Sequence, residues 1–235
     1  MVYYFRYCEG LISPPSGALT LGLSFHSSIA HNYRQKKESR EDLPVSDVLD
    51  KFSTEFDHRK HETVWVEDEK PGVVKDRGIG LLREYQRVVA PPTQPKQVEM
   101  EFTIDFDNKD FTFLGYLDLV DDKNTIVETK TTSRRPSKPK PDHLLQTTAY
   151  ATGFRANEGE SEKGVRLDYA VSNGKAEIIS FDRHVTGEEI GFFLTLVGRV
   201  AHAIESEVWI PNRANFLCSE KWCGYWNICH GKCGG

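Results

Sequence analysis

The chain of 235 residues reads as an α/β domain in which helices flank a mixed central β-sheet. Two observations predict this. Apolar residues recur at helical spacing between Leu19 and Ala90, and the period drops to two between Gln97 and Thr131. A helical stretch and two further alternating runs follow, so strands and helices interleave along the chain.

Taken in order, Leu19 to Arg40 is the first helix, with Leu23, Ala30 and Tyr33 among its apolar positions. Ser46 can cap a second helix, because its hydroxyl can accept from the free N–H groups of a first turn. Val48, Leu49, Phe52 and Phe56 then recur at helical spacing. Val73 to Ala90 forms a third, stopped by Pro91-Pro92. Gln97 to Phe106, Phe111 to Val120 and Thr125 to Thr131 alternate as strands, and Leu144 to Ala156 returns to helix. Val165 to Val171 and Ala176 to Phe181 form a hairpin around Ser172-Asn173-Gly174-Lys175. Thr186 caps a last long helix, with Glu188 and Glu189 placed to meet the positive end of its dipole.

Bulk properties set limits. A length of 235 residues fits one domain, since single cores grow to roughly 250 residues before splitting. No apolar run approaches the roughly 18 residues that span a bilayer, and Met1 to Arg6 lacks the build of a signal peptide. A cytoplasmic protein without membrane contact is the expectation. The net charge of −5 argues against a strong sequence-independent polyanion binder. Charge is uneven, however: Arg134, Arg135, Lys138 and Lys140 fall in one eight-residue segment that contains no acid. A solvated, proline-stiffened loop is the plain reading. Because the segment leaves the strand of Glu128 and Lys130, contact with backbone phosphates is the sharper one.

Chemistry concentrates between Gly115 and Tyr150. G-Y-L-D-L-V carries Asp118, I-V-E-T-K-T carries Glu128, Thr129 and Lys130, and Q-T-T-A-Y carries Gln146 and Tyr150. Asp118 and Glu128 sit on adjacent expected strands, and Lys130 shares a face with Glu128 at a spacing of two. Two carboxylates are enough protein ligation for Mg²⁺ or Mn²⁺, which complete their shells with water and substrate oxygens. The Thr129 carbonyl can add a third oxygen. Lys130 can orient a water or stabilise charge building on a phosphoryl group. An isolated E-x-K is a common surface pattern; here Leu117, Leu119, Ile126 and Val127 draw the hairpin into the core, where charge must be paired.

These motifs resemble the PD-(D/E)xK nuclease superfamily in its RecB-like branch, which includes CRISPR-associated and phage exonucleases. The resemblance runs from Y-Y-F-R-Y-C-E-G-L at the start, through Gly22-x-x-x-His26, to the cysteines near the end. It implies a restriction-endonuclease-like core, with an N-terminal helical part at 1–96, a catalytic sheet at 97–185 and a C-terminal helix and cysteine cluster at 186–235. By the same resemblance His26 is a metal ligand, with His31 a competing candidate, and Gln146 and Tyr150 line the site and touch DNA. An imidazole ligand tilts preference toward Mn²⁺.

Four cysteines crowd the C-terminus at Cys218, Cys223, Cys229 and Cys233, with Trp222, Tyr225 and Trp226 among them. In a cytoplasmic chain such crowding favours metal over disulfide. The cluster resembles the iron–sulfur tail of RecB-like nucleases, where a fourth thiolate comes from the N-terminal region. Cys8 lies after the Y-Y-x-R-Y segment that the family's cysteine precedes, so either a short segment missing from the recorded start carries the fourth ligand of a [4Fe–4S] cluster, or Cys233 or Cys8 substitutes. A zinc site of the four C-terminal cysteines is the rival. Together these features imply a divalent-metal-dependent deoxyribonuclease that trims single-stranded ends as an exonuclease, in recombination, repair, phage replication or CRISPR adaptation. The alternatives are a non-catalytic nucleic-acid-binding module and a subunit of a helicase–nuclease complex.

Overall fold

The computed structural model describes residues 1–106, 111–215, 217–220 and 222–232. It divides into two compact units: Ser16–Thr195, and Met1–Pro15 together with Leu196–Gly235.

In the larger unit, α1 (Gly17–Ser39), α2 (Val45–Arg59) and α3 (Pro71–Val88) precede β1 (Pro95–Asp105), β2 (Thr112–Asp121) and β3 (Thr125–Thr132). After α4 (Pro141–Glu158) come β4 (Gly164–Val171), β5 (Glu177–Arg183) and α5 (Gly187–Glu205), whose residues from Leu196 on belong to the second unit. The five strands line up in sequence order. Only β3 and β4 are parallel, and α4 is their crossover, so the sheet is mixed as expected.

Ser16 opens α1 by accepting the Leu19 N–H at 3.3 Å, and Arg40 ends it in a left-handed conformation at φ 64°. The buried stripe of α1 is Leu21, Phe25, Ile29 and Tyr33, spaced by four. Leu23, expected among the apolar positions, is instead exposed because it falls off that stripe. Val48, Phe52 and Phe56 bury α2 as expected, but Ser46 does not cap it. The helix starts two residues earlier, at Val45 with Pro44 at the cap, and the Ser46 hydroxyl donates to Asp47 at 3.0 Å. Prolines at Pro71 and Pro141 likewise start α3 and α4 before the expected points, since a proline in a first turn forfeits no helical bond.

Helices α1 to α3 cover one sheet face, where Leu119, Val127 and Ala170 join their core. On the opposite face Leu144 of α4 packs with Leu167, Tyr169 and Val171. The Phe102 ring of β1 fills the space where Gly115 and Gly153 have no Cβ, so only glycine there lets α4 approach β1 and β2 this closely. The β2–β3 turn is held by Asp121, whose Oδ1 accepts the N–H groups of Lys123 at 2.9 Å and Thr125 at 2.7 Å. At the β4–β5 turn Gly174 takes φ 74°. Thr186 and Glu189 form a reciprocal cap on α5: the Glu189 N–H reaches the Thr186 hydroxyl at 3.2 Å, and the Thr186 N–H reaches the Glu189 carboxylate at 2.9 Å.

The second unit contains a short wide turn at Tyr4–Cys8 and a C-terminal helix, α6 (Trp226–Lys232), neither anticipated from periodicity because each spans too few residues. Phe5 is fully buried and stacks on Tyr225 at 5.4 Å, and the Tyr225 hydroxyl donates to the Leu11 carbonyl at 2.8 Å. Among the described residues no helix is long and apolar enough to cross a membrane.

Candidate nuclease active site

Strands β2 and β3 pair only at Leu119–Val127 and Val120–Ile126, next to their turn, and then part. One step along that register stand Asp118 and Glu128, at the mouth of the opening. A second irregularity brings them there. Val98 packs with α1 to α3, yet Phe102, four residues along the same strand, meets α4. An ordinary strand keeps such residues on one face. Glu99 between them has φ 49°, a strained value for a side chain with a Cβ, and it rolls the strand over. The register of β1 with β2 sets Glu99 opposite Asp118, so the roll occurs at the acid.

Asp118 consequently meets groups from two elements. His26 of α1 places Nδ1 3.1 Å from Asp118 Oδ2, and the Thr129 N–H donates to the same oxygen at 3.4 Å. Glu128 is 1% exposed; one of its oxygens is ion-paired to Lys130, and Oε2 is buried with no donor within hydrogen-bond distance among the described residues. Across the opening, Gln146 of α4 donates to the Tyr150 hydroxyl at 2.7 Å, and Tyr150 sits edge-on to Phe102. His31, the rival to His26, is exposed.

The electrostatics follow from crowding acids out of water. Burial and the Asp118 charge push the Glu128 carboxyl up to about 8, against the pull of Lys130. Burial also works against ionised Asp118, but the His26 charge and hydrogen bond outweigh it and hold this carboxyl below its usual range. His26 is drawn down by burial and lifted more strongly by Asp118, so it ends above its ordinary value. Tyr150 is raised by burial and then by the charges of Glu128 and Asp118. Two acids, a cation and a phenol therefore converge on one spot.

A family model of the PD-(D/E)XK nuclease superfamily matches residues 1–230. The chain belongs to that superfamily. Nucleic acid is the substrate class this membership implies. No curated protein matches the chain. Among solved structures, it is similar to one from Eubacterium rectale described as a "putative exonuclease", at 13% identity and a TM-score of 0.58, over 100% of this chain and 86% of that one. It is also similar to SSO0001 at 17% identity and a TM-score of 0.45, over 89% of this chain and 84% of that one. At 13% identity the former likeness speaks for the fold alone.

The remaining expected site residues of this PD-(D/E)XK chain are dispersed. Arg134, Arg135, Lys138 and Lys140 are all exposed; Arg135 pairs with Glu177, and Lys140 caps α4. In the second unit, Cys218, Cys223 and Cys229 line two neighbouring cavities of about 400 and 220 Å³. Cys8 is exposed and lines neither, while Cys233 lies outside the described residues. Among the described residues no three His, Cys, Asp or Glu side chains stand close enough to hold an ion unaided.

Sequence reasoning missed the polar layer behind the site. On the α1–α3 face, Asp168 accepts from Arg166 at 3.0 Å and from the Ser180 hydroxyl at 2.5 Å, and Arg166 continues to Thr93 at 3.1 Å. Tyr33 and Tyr85 share a hydrogen bond of 3.1 Å beside it. The signal available was Arg166-x-Asp168, which has the same spacing as Glu128-x-Lys130.

Proposed function

We propose that the protein is a divalent-metal-dependent deoxyribonuclease acting as an exonuclease on single-stranded ends. The observation that carries this reading is the buried Glu128 carboxylate: it is crowded against Asp118, and among the described residues its Oε2 has no cation within hydrogen-bond distance. A buried carboxylate oxygen left open is costly unless a cation meets it. The donor set suits a hard ion such as Mg²⁺ or Mn²⁺, which needs one or two carboxylates and otherwise takes water and phosphate oxygens.

In this reading Asp118 and Glu128 hold the ion, with His26 and the Thr129 carbonyl as further ligands. When bound, the ion supplies charge neutralisation at the phosphoryl oxygens and acidifies a water. Lys130, drawn against Glu128, points its remaining N–H donors at the attacking water and the charge that develops on phosphate. Gln146 keeps the Tyr150 hydroxyl aimed at the acids, and the pair contacts the strand. Arg134, Arg135, Lys138 and Lys140 hold flanking phosphates.

The second unit carries a separate proposal. Cys218, Cys223 and Cys229, with Cys233 or Cys8 as the fourth thiolate, ligate a [4Fe–4S] cluster; the supporting observation is that three thiols share cavities roomier than one zinc ion needs. Iron and sulfide analysis of anaerobically purified protein tests it, and stoichiometric zinc without iron overturns it.

The nuclease reading is tested by cleavage of labelled single-stranded DNA with Mg²⁺ or Mn²⁺. Lys130→Ala is expected to lose roughly 10²- to 10³-fold in kcat, the scale for deleting one group that stabilises a transition state. Equal activity in the two proteins overturns the assignment. Circular single strands test the exonuclease part, since they offer no end and should resist cleavage.

A further inference from the structure

His143, Gln146 and Tyr150 lie three and four residues apart on α4, and therefore form one stripe along the helix. His143 stands at the Lys130 end of that stripe. In the β3–β4 ladder the neighbour of Lys130 is Tyr169, and the Tyr169 hydroxyl lies 2.7 Å from His143 Nδ1. Lys130 is also among the charges that act on the His143 ring.

The hydrogen bonds decide which ring nitrogen carries the proton. Tyr169 is 1% exposed, so its O–H must find an acceptor inside the protein. Among the described residues its partners are the Lys140 N–H, at 3.4 Å, and His143 Nδ1. An N–H cannot accept, so the phenol donates to Nδ1, and the neutral ring keeps its proton on Nε2. Burial, followed by Lys130 and Lys140, draws the ring below its ordinary value against the pull of Asp142, which keeps it neutral at neutral pH. The Asp142 carboxylate is 3.7 Å from Nε2, too far for a hydrogen bond, and sits on a side chain that is 75% exposed. Nε2–H is thus a fixed donor without a bonded acceptor among the described residues, half-buried at the edge of the site.

We infer that His143 is a substrate-contacting residue whose Nε2–H donates to a non-bridging oxygen of a backbone phosphate, with Tyr169 as its positioning residue. This rests on the nuclease reading of the same site. A phosphate fits better than a base edge, because a neutral imidazole locked by Tyr169 offers one donor only. The exposed cations of the preceding segment, Lys138 and Lys140, also mark this end of the site as the side where the backbone passes.

Two isosteric substitutions separate this role from a packing role. In His143→Gln the amide N–H₂ reaches the position of Nε2, whereas in His143→Asn the shorter amide sits at the level of Nδ1 and keeps the bond to Tyr169. With end-labelled single-stranded DNA and Mn²⁺, His143→Asn and His143→Ala are expected to raise KM roughly tenfold, the scale for one hydrogen bond to a charged group, with kcat little changed. His143→Gln should stay near wild type, and anisotropy titrations in EDTA should show the same order of affinities. A purely structural histidine reverses that order, with Asn behaving as wild type and Gln impaired. That reversal, or wild-type KM in all three variants, overturns the inference while leaving the nuclease intact. Failure of the wild type to cleave with either ion sinks the site reading and this inference together. Thermal melting of each variant confirms that folded proteins are compared.

Discussion

Glu128 and Asp168 stand on neighbouring strands and are equally buried, each 1% exposed, yet their surroundings differ. Asp168 faces α1 to α3, and both of its oxygens are satisfied, by Arg166 and by Ser180. Glu128 faces α4, with Lys130 on one oxygen, and among the described residues no cation meets the other, which is left with the Asp118 carboxyl and the Tyr150 phenol nearby. Burial raises the carboxyl of both acids; at Asp168 Arg166 opposes it, and at Glu128 the Asp118 charge adds to it. Burial of a charge therefore does not mark a site. What separates scaffold from candidate chemistry is the acid whose hydrogen-bonding capacity is left open at the point where two strands part.

Substituting each acid by its amide should break this comparison most sharply. Glu128→Gln is expected to lower cleavage of single-stranded DNA by roughly 10²- to 10³-fold, while the melting temperature holds or rises, because an acid whose ionised form burial disfavours is removed. Asp168→Asn should do the reverse. It leaves Arg166 without its counter-charge and is expected to cost about 3 kcal/mol in urea denaturation, with metal-dependent cleavage retained. If both amides act on stability alone, the two acids are alike and Glu128 is structural.

A smaller effect is expected from pH. Glu128 and His26 both hold protons more tightly when folded, at about 8 for Glu128 and above its ordinary value for His26. Between their unfolded and folded values the folded chain binds more protons than the unfolded one, so stability falls as pH rises from about 5 to about 8. Asp118, shifted the other way, acts only below its usual carboxylate range, and the lowered His143 opposes the trend only below the ordinary histidine value, so the decline is cleanest from there up to about 8. Melting scans in EDTA should show that decline. Mn²⁺ competes with the same protons, so it should raise the melting temperature more at pH 8 than at pH 5, and Glu128→Gln, unlike Asp168→Asn, should abolish that gain.

The smallest expected change lies outside both acids. Removing Arg134 and Lys138 together should weaken DNA binding a few-fold and flatten the salt dependence by about 0.7 per lost phosphate contact, without altering kcat. A change in kcat would place these cations inside the chemistry.

Much of the fold is legible in the chain, because helices and strands are carried by local periodicity. Errors fall where nearby residues compete: Pro44 rather than Ser46 caps α2, and Leu23 sits two positions from both Leu21 and Phe25 of the stripe that α1 buries. The acids and Lys130 were visible as motif letters with apolar flanks. Their neighbours were not. Glu128-x-Lys130 and Arg166-x-Asp168 are the same pattern on paper, and a spacing of two says only that side chains share a face.

The amino-acid order alone determined the elements, their sequence along the chain and the candidate groups on β2, β3 and α4, since each follows from residue type and spacing. Tertiary structure decided which of those groups meet. Glu99 at φ 49° rolls the strand pair at Asp118, β2 and β3 part beyond two ladder positions, and α1 brings His26 alongside. Tyr169, 26 residues from His143, sets the proton on its ring. Each of these depends on where distant backbone runs, and satisfaction of a buried polar atom is a property of everything around it.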